Sequence, residues 1–314
     1  MGDQDRAGDA DSPGERRGEE GQAAGIPNAP DSRLAFPSQT PLYHAQHASR
    51  YARQAQIKDY ESRYGCRLVV LVDVLFPQTI TIFEELIHDA SPDDDLHLLL
   101  DTPGGDGETA IRLVRSAQAR CRELTLIVPN QAKSAGTLVA MGVHHILMGP
   151  TSDLGPVDPQ FPSPGGRGLY SAKDLIRAVE NAEAAIAKNP ESYPLHVSLL
   201  ADVTAVMVQE ARSALDRSAD LVKEALESNP DRTERDVTTL AEAVKTTLID
   251  RPQDHGAVCS ARDAEALGLP VVQMDPQSAQ WREIWLLWAK YFELDAYVAE
   301  GRLASQVTKR RRGS

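Results

Sequence analysis

The chain reads as an α/β protein made of repeated strand–helix units with a mainly helical C-terminal half. Three observations lead there. Short apolar runs recur at 68–74, 96–100, 124–128 and 145–148, as expected of strands buried on both faces. Segments with helical spacing separate them, and that alternation specifies a parallel sheet with right-handed crossovers. After Leu154-Gly155-Pro156-Val157-Asp158-Pro159 the apolar runs nearly stop and helical spacing takes over.

Taken in order, residues 1–40 are rich in Gly, Asp, Glu, Pro and Ala, with almost no large apolar side chain before Leu34. Such a segment cannot offset its ordering entropy by burial and is expected to be a disordered acidic tail. A helix over 42–64 is closed by Gly65 at the C′ position. The helix predicted over 80–90 puts Phe83, Leu86 and Ile87 on one side. The one over 108–120 aligns Ala110, Ile111, Leu113, Val114 and Ala117. Residues 134–143 form a short helix of small side chains. Helices follow over 171–188, with Ser171 as N-cap, and over 195–226 and 232–248. A capped helix over 260–268 feeds a last strand at 269–272, and a final helix covers 284–298.

Trp281, Trp285 and Trp288 stand at helical spacing and form one broad apolar stripe with Ile284 and Phe292. Core packing, a subunit contact, a docked substrate or a membrane surface would cover it, because so large an apolar patch is unusual on a monomer. A homo-oligomer is therefore expected, with the helices from Ser171 onward supplying much of the contact.

Composition narrows the function classes. With 41% hydrophobic and 25% charged residues, the sequence is that of ordinary globular protein. A net charge of −13 argues against nucleic acid as the main partner, since phosphate binding needs a basic surface. No apolar run approaches the roughly 20 residues of a membrane span. Met1-Gly2-Asp3-Gln4-Asp5 is acidic and polar where a secretory signal is basic and then apolar. Cys66, Cys121 and Cys259 are too few and scattered for a disulfide framework or a zinc knuckle. A soluble, cytoplasmic protein is the expectation. No metal or nucleotide motif occurs, so no cofactor is expected.

Two turns carry the chemistry. Asp101-Thr102-Pro103-Gly104-Gly105 follows the run at 96–100, and Ala132-Lys133-Ser134-Ala135-Gly136-Thr137 follows the run at 124–128. Each opens into a helix. Adjacent strand ends thus deliver a glycine pair with free backbone N–H groups and a serine at a helix start. Those are the parts of an acyl-transfer site, a nucleophile and a place for the oxyanion. Alone, the glycines could serve positive φ in a turn, and Ser134 could be an N-cap. Their coincidence favours a functional site. Ala135 and Gly136, being small, would let the backbone approach a bound carbonyl.

The Thr-Pro-Gly-Gly turn, Lys-Ser-Ala-Gly-Thr and the block Met-Gly-Pro-Thr-Ser-Asp-Leu-Gly-Pro-Val-Asp-Pro-Gln at 148–160 resemble the serine dehydrogenase proteinase family. That family is related to signal peptide peptidase A and the Clp protease proteolytic subunit. Asp254-His255-Gly256 and the stretch 264–271 fit its C-terminal pattern, so the resemblance covers about 45–272. It implies a Clp protease/crotonase-like fold over 41–275, followed at 276–314 by an amphipathic helix and a basic tail. It also implies a serine-type endopeptidase acting on peptides or proteins, with Ser134 as nucleophile. The oxyanion donors would be the amides of Gly105 (or Gly104) and Ala135.

The general base is open at this point. No histidine lies in 154–161, where a Clp-type base would fall, and His144 and His145 read as strand residues. Relatives of the signal peptide peptidase A type use a lysine, which serves only if burial depresses its pKa. Lys173, in the first turn of a helix, ranks first and implies a Ser–Lys dyad. Lys188 at that helix's end ranks second, and the distant His255 is the remaining candidate. Lys133 is expected to point away from its neighbour's face, and Asp158 to brace a turn. The alternatives are a non-proteolytic crotonase-fold enzyme using the glycine amides on a thioester, and a catalytically silent oligomeric scaffold.

Overall fold

The computed structural model describes residues 40–163, 168–252 and 255–309; the expected tail at 1–40 lies almost wholly outside them. The chain divides into two units, 1–47 and 48–314. Of the first, the described part is the start of helix α1 (Pro41–Tyr64), where the Tyr43 and His47 rings stack at 4.1 Å. Everything below belongs to the second.

Its centre is a seven-stranded sheet. Strands β1 (Cys66–Val72), β2 (Asp95–Asp101) and β3 (Leu124–Val128) run parallel, side by side. Two short strands, β4 (Gln131–Ala132) and β6 (Asp153–Leu154), pair separately from the sheet. The parallel series continues with β5 (His145–Met148) and ends at β9 (Val271–Gln273). Helices α2 (Pro77–Ile87), α3 (Gly107–Gln118) and α4 (Ala135–Met141) connect the first four parallel strands. The unbroken apolar runs have the expected cause. In β1, Val69 and Leu71 face one core with α2 and α3, while Leu68, Val70 and Val72 face another. That second core is filled from α1 and α10 (Ala279–Leu294), by Ile57, Tyr60 and Tyr291 among others.

The sheet is mixed, a correction to the all-parallel expectation. The helix predicted over 284–298 stops at Leu294 because Asp295 adopts a left-handed φ of 44°. The chain turns there into β10 (Ala296–Glu300), antiparallel to β1, and β11 (Ser305–Lys309) pairs with β10. Two short strands that the sequence did not signal, β7 (Gln160–Pro162) and β8 (Leu169–Ser171), pair antiparallel after Pro159. The second leads into α5 (Ala172–Lys188), capped by Ser171 as expected.

The single helix expected over 195–226 is two, α6 (Tyr193–Leu199) and α7 (Ala205–Glu227). The second starts afresh at Thr204, whose hydroxyl accepts the Met207 amide. A capping box between Thr233 and Asp236 opens α8 (Glu234–Val244), which runs on as a π-helical stretch, Lys245–Asp250. α9 (Ala261–Ala266) precedes β9.

The tryptophan stripe is split. Trp281 and Trp288 are buried on their own chain, whereas Trp285 remains 40% exposed. Among the described residues no helix is long and apolar enough to cross a membrane.

Candidate active site

The first turn is a backbone cradle. Thr102, fully buried, accepts the Gly104 amide at 3.1 Å, and Leu75 donates its amide to the Gly104 carbonyl at 2.9 Å. Asp106 returns its own amide to the Leu75 carbonyl at 2.8 Å. Gly105 lies between these bonds with φ +140°, and a Cβ there would stand 2.2 Å from the Leu75 oxygen. Only glycine fits. The start of α3 is not an empty positive end, because the Asp106 carboxylate already accepts the Thr109 amide at 2.7 Å.

Ser134 sits at the N-cap position of α4 but does not cap it. Its side chain makes no capping bond, and its backbone is at φ 52°, ψ −113°. Few non-glycine residues adopt such angles, and a strain of about 1–3 kcal/mol persists only where the surroundings impose it. Here they do. β4 bridges Thr102 through Ala132, and Lys133 donates its amide to the Thr102 carbonyl at 3.1 Å. Gly136 serves packing rather than close approach to a ligand, because a Cβ there would come within 2.5 Å of Thr102 Cγ2. Neither the Gly105 nor the Ala135 amide has a hydrogen-bond acceptor among the described residues.

Thr137, also fully buried, ties this turn to the segment after β6. Its hydroxyl donates to the Ala132 carbonyl at 2.9 Å and accepts the Gly155 amide at 3.0 Å. That link carries the chain to Asp158, which is 3% exposed and accepts a 2.7 Å hydrogen bond from His255 Nδ1. Burial pushes the Asp158 carboxyl up. Hydrogen bonds from His255 and Ser171, with the nearby charges of His255 and Lys173, outweigh burial and hold it below the usual carboxylate range.

Ser134, Gly105, Ala135, Asp158 and His255 all line one cleft of about 500 Å³. Its apolar wall comes from Leu138, Val157 and Leu221, the last reaching in from α7. Arg217 on α7 bridges to Glu108 on α3 at the rim, with nitrogen–oxygen distances of 2.7 and 2.9 Å.

Lys173, the first-ranked base, is not among the residues lining this cleft. Burial lowers its pKa from the ordinary amine value, as a lysine base would need. Its ammonium, however, donates to the carbonyls of Ile249, at 2.5 Å, and Pro252, at 2.8 Å. Lys188 is exposed at the far end of α5. Lys133 points away from Ser134, as expected, to an ion pair with Asp153 at 2.6 Å. His144 accepts the Leu124 amide on Nδ1 at 2.9 Å, and His145 opens β5.

The sequence signal for the Asp158–His255 pair was thin. The two residues lie 97 positions apart, and the Asp-Pro turn has an adequate structural reading by itself. The loop Asp254-His255-Gly256 was the available hint. The Arg217–Glu108 bridge had none.

A hydroxyl and two amides without partners among the described residues, with a carboxylate–imidazole pair around the same cleft, are the groups that nucleophilic acyl transfer requires. The chain belongs to the ClpP-like SDH-type serine proteinase family, whose pattern matches residues 79–278, and it has the ClpP-like fold. Two curated relatives from Methanocaldococcus jannaschii are the uncharacterized proteins MJ0137, 37% identical over 109 residues, and MJ1495, 26% identical over 137 residues. These matches cover 34% and 43% of this chain and 36% and 40% of the relatives, so the similarity spans well under half of either partner. Two solved structures of the membrane-bound stomatin-specific protease 1510-N are also similar. A serine-to-alanine mutant matches with TM-score 0.42 and 16% identity over 65% of this chain and 78% of that one. A lysine-to-alanine mutant bound to a substrate peptide matches with TM-score 0.43 and 13% identity over 78% and 88%.

Proposed function

We propose that the protein is a serine peptidase acting on peptides or proteins, with Ser134 as nucleophile and His255 as general base. His255 Nε2 takes the proton as Ser134 Oγ attacks the scissile carbonyl, and the amides of Gly105 and Ala135 receive the oxyanion. Gly104 is set aside as a donor because its amide is already given to Thr102. Asp158 orients the imidazole through Nδ1. The proton passes to the leaving amine, and water attacks the acyl-enzyme with the same base assisting.

The observation that carries this reading is the shared cleft. An Asp-paired histidine and a serine free of capping duty line one cavity, whereas the Lys173 ammonium is turned onto two backbone carbonyls. These contacts favour a Ser134–His255–Asp158 set over the Ser–Lys dyad expected from sequence. Hydrolysis of fluorescent casein by Ser134→Ala and His255→Gln tests it. Both variants should fold with the wild-type urea midpoint and lose turnover. Wild-type turnover in His255→Gln would return the role to Lys173.

A cytoplasmic homo-oligomer completes the proposal. Leu195, Val197 and Leu199 on α6 and Val206 at the start of α7 are each more than half exposed, a surface suited to a contact between copies. A monomer mass by light scattering at micromolar concentration would contradict it.

A further inference from the structure

His255 stands on an excursion fastened at both ends. On one side the Val157 amide donates to the Leu248 carbonyl at 3.0 Å. On the other, Leu154 and Cys259 exchange both backbone bonds at 3.0 Å, and the Asp153 carboxylate accepts the Cys259 amide at 3.0 Å. Between these anchors His255 holds its imidazole against Asp158.

Two lysines converge there from opposite sides. From α5, Lys173 Nζ donates to the carbonyls of Ile249 and Pro252 before His255. From the end of β4, Lys133 Nζ donates to the carbonyls of Gly256 at 3.2 Å and Ala257 at 3.4 Å after it. The Lys133 ammonium is anchored in turn. Lys133 is paired with Asp153, each side chain only 16% exposed, and its stem packs on Gly155, where an added Cβ would meet Lys133 Cγ at 3.0 Å. Lys173 lies within the fields of Asp158, Asp174 and Asp250. An ammonium carries three donors on a flexible stem and can bind two carbonyls and a carboxylate at once.

We infer that Lys133 and Lys173 are positioning residues, a two-sided clamp that fixes the backbone on either side of His255 and so keeps its imidazole against Asp158 in the cleft that Ser134 also lines. Neither lysine exchanges a proton with substrate. The clamp rests on the reading of His255 as general base. It gives Lys133, next to the nucleophile in sequence, a task on the far wall of the site. It also gives the partly buried Lys173 a reason to sit beside Asp158.

Arginine separates a clamp from a base, because it keeps the charge and the donors but does not deprotonate. Lys133→Met and Lys173→Met should each lower kcat about 100-fold, the order expected for a misplaced catalytic group, with KM little changed. Hydrogen exchange at the Gly256 and Ala257 amides should accelerate in both, while the global urea midpoint stays high. Lys133→Arg and Lys173→Arg should recover most of the lost kcat and slow that exchange again. Arginine variants no more active than the methionine ones would overturn the clamp. So would wild-type kcat in either methionine variant, or unchanged exchange in both. His255→Gln, assayed alongside, separates the two levels of the account. If it keeps wild-type turnover, the base assignment has failed. If it is inactive while the arginine variants show no recovery, the base stands and the clamp has failed.

Discussion

The two sides of the cleft are built by different means. On the nucleophile side, Gly105, Ser134 and Ala135 sit at the ends of adjacent parallel strands, and main-chain bonds through Leu75, Thr102 and Lys133 fix them. On the base side, Asp158 and His255 come from irregular segments far apart in sequence, joined by one side-chain bond and steadied by lysine ammoniums. Backbone-held groups are insensitive to most side-chain changes and intolerant of a few. Side-chain-held groups should lose function through many substitutions that leave the fold intact.

The largest effect should come from the base side. Asp158→Asn keeps size and shape but removes the charge that orients and stabilises the imidazolium. Turnover of a peptide substrate should drop about 10⁴-fold, as for the corresponding change in a serine–histidine–aspartate triad, with the urea midpoint near wild type. A comparable loss of stability would mean that Asp158 braces the fold first.

Gly105→Ala attacks the other side and should show the reverse. The added Cβ collides with the Leu75 carbonyl, and φ +140° excludes an L side chain, so unfolding free energy should fall by about 3 kcal/mol or more. Urea titration reads it directly, and a stable Gly105→Ala would show that the cradle yields.

Acid should also strain the frame. His97 on β2 is held neutral, with a pKa lowered to about 4, chiefly by burial. The unfolded chain takes up a proton near pH 6.5 and the native one only near 4, so stability falls as pH drops through that window. The loss is at most about 3 kcal/mol. The Tyr60 hydroxyl lies 2.9 Å from His97 Nδ1. Denaturant midpoints at pH 7 and pH 4.5 should differ less in His97→Gln than in wild type, and an equal difference would exclude this histidine.

The smallest effect belongs to the link between the sides. Thr137→Val keeps volume but deprives the buried Gly155 amide of its acceptor, which should cost about 1–3 kcal/mol. Unchanged stability would show that the two walls are held together elsewhere.

The same contrast decides how much could be read in the sequence. The frame was legible because buried parallel strands need continuous apolar runs, and the runs at 124–128 and 145–148 coincide with β3 and β5. The Gly-Gly and Ser-Ala-Gly turns were legible because they punctuate those runs. β10 was not, since its alternation is short and continues an apolar helix, and one residue, Asp295, makes the break. The choice among the candidate bases was not legible either. Lysine in a first helical turn, histidine in a loop and aspartate before proline each have ordinary structural uses, and only the folded chain brings Asp158 to His255. Lys173 stands out in the sequence by its place in the first turn of a helix, and its hydrogen bonds go to backbone carbonyls.

The proposed mechanism turns on Ser134 as a nucleophile activated by His255. Reaction with a fluorophosphonate probe, followed by intact mass and peptide mapping, tests it without knowledge of the substrate. A single adduct at Ser134 is expected in the wild type, none in Ser134→Ala, and strongly slowed labelling in His255→Gln. A folded wild-type protein with no adduct, an adduct on another residue, or undiminished labelling of His255→Gln would contradict it.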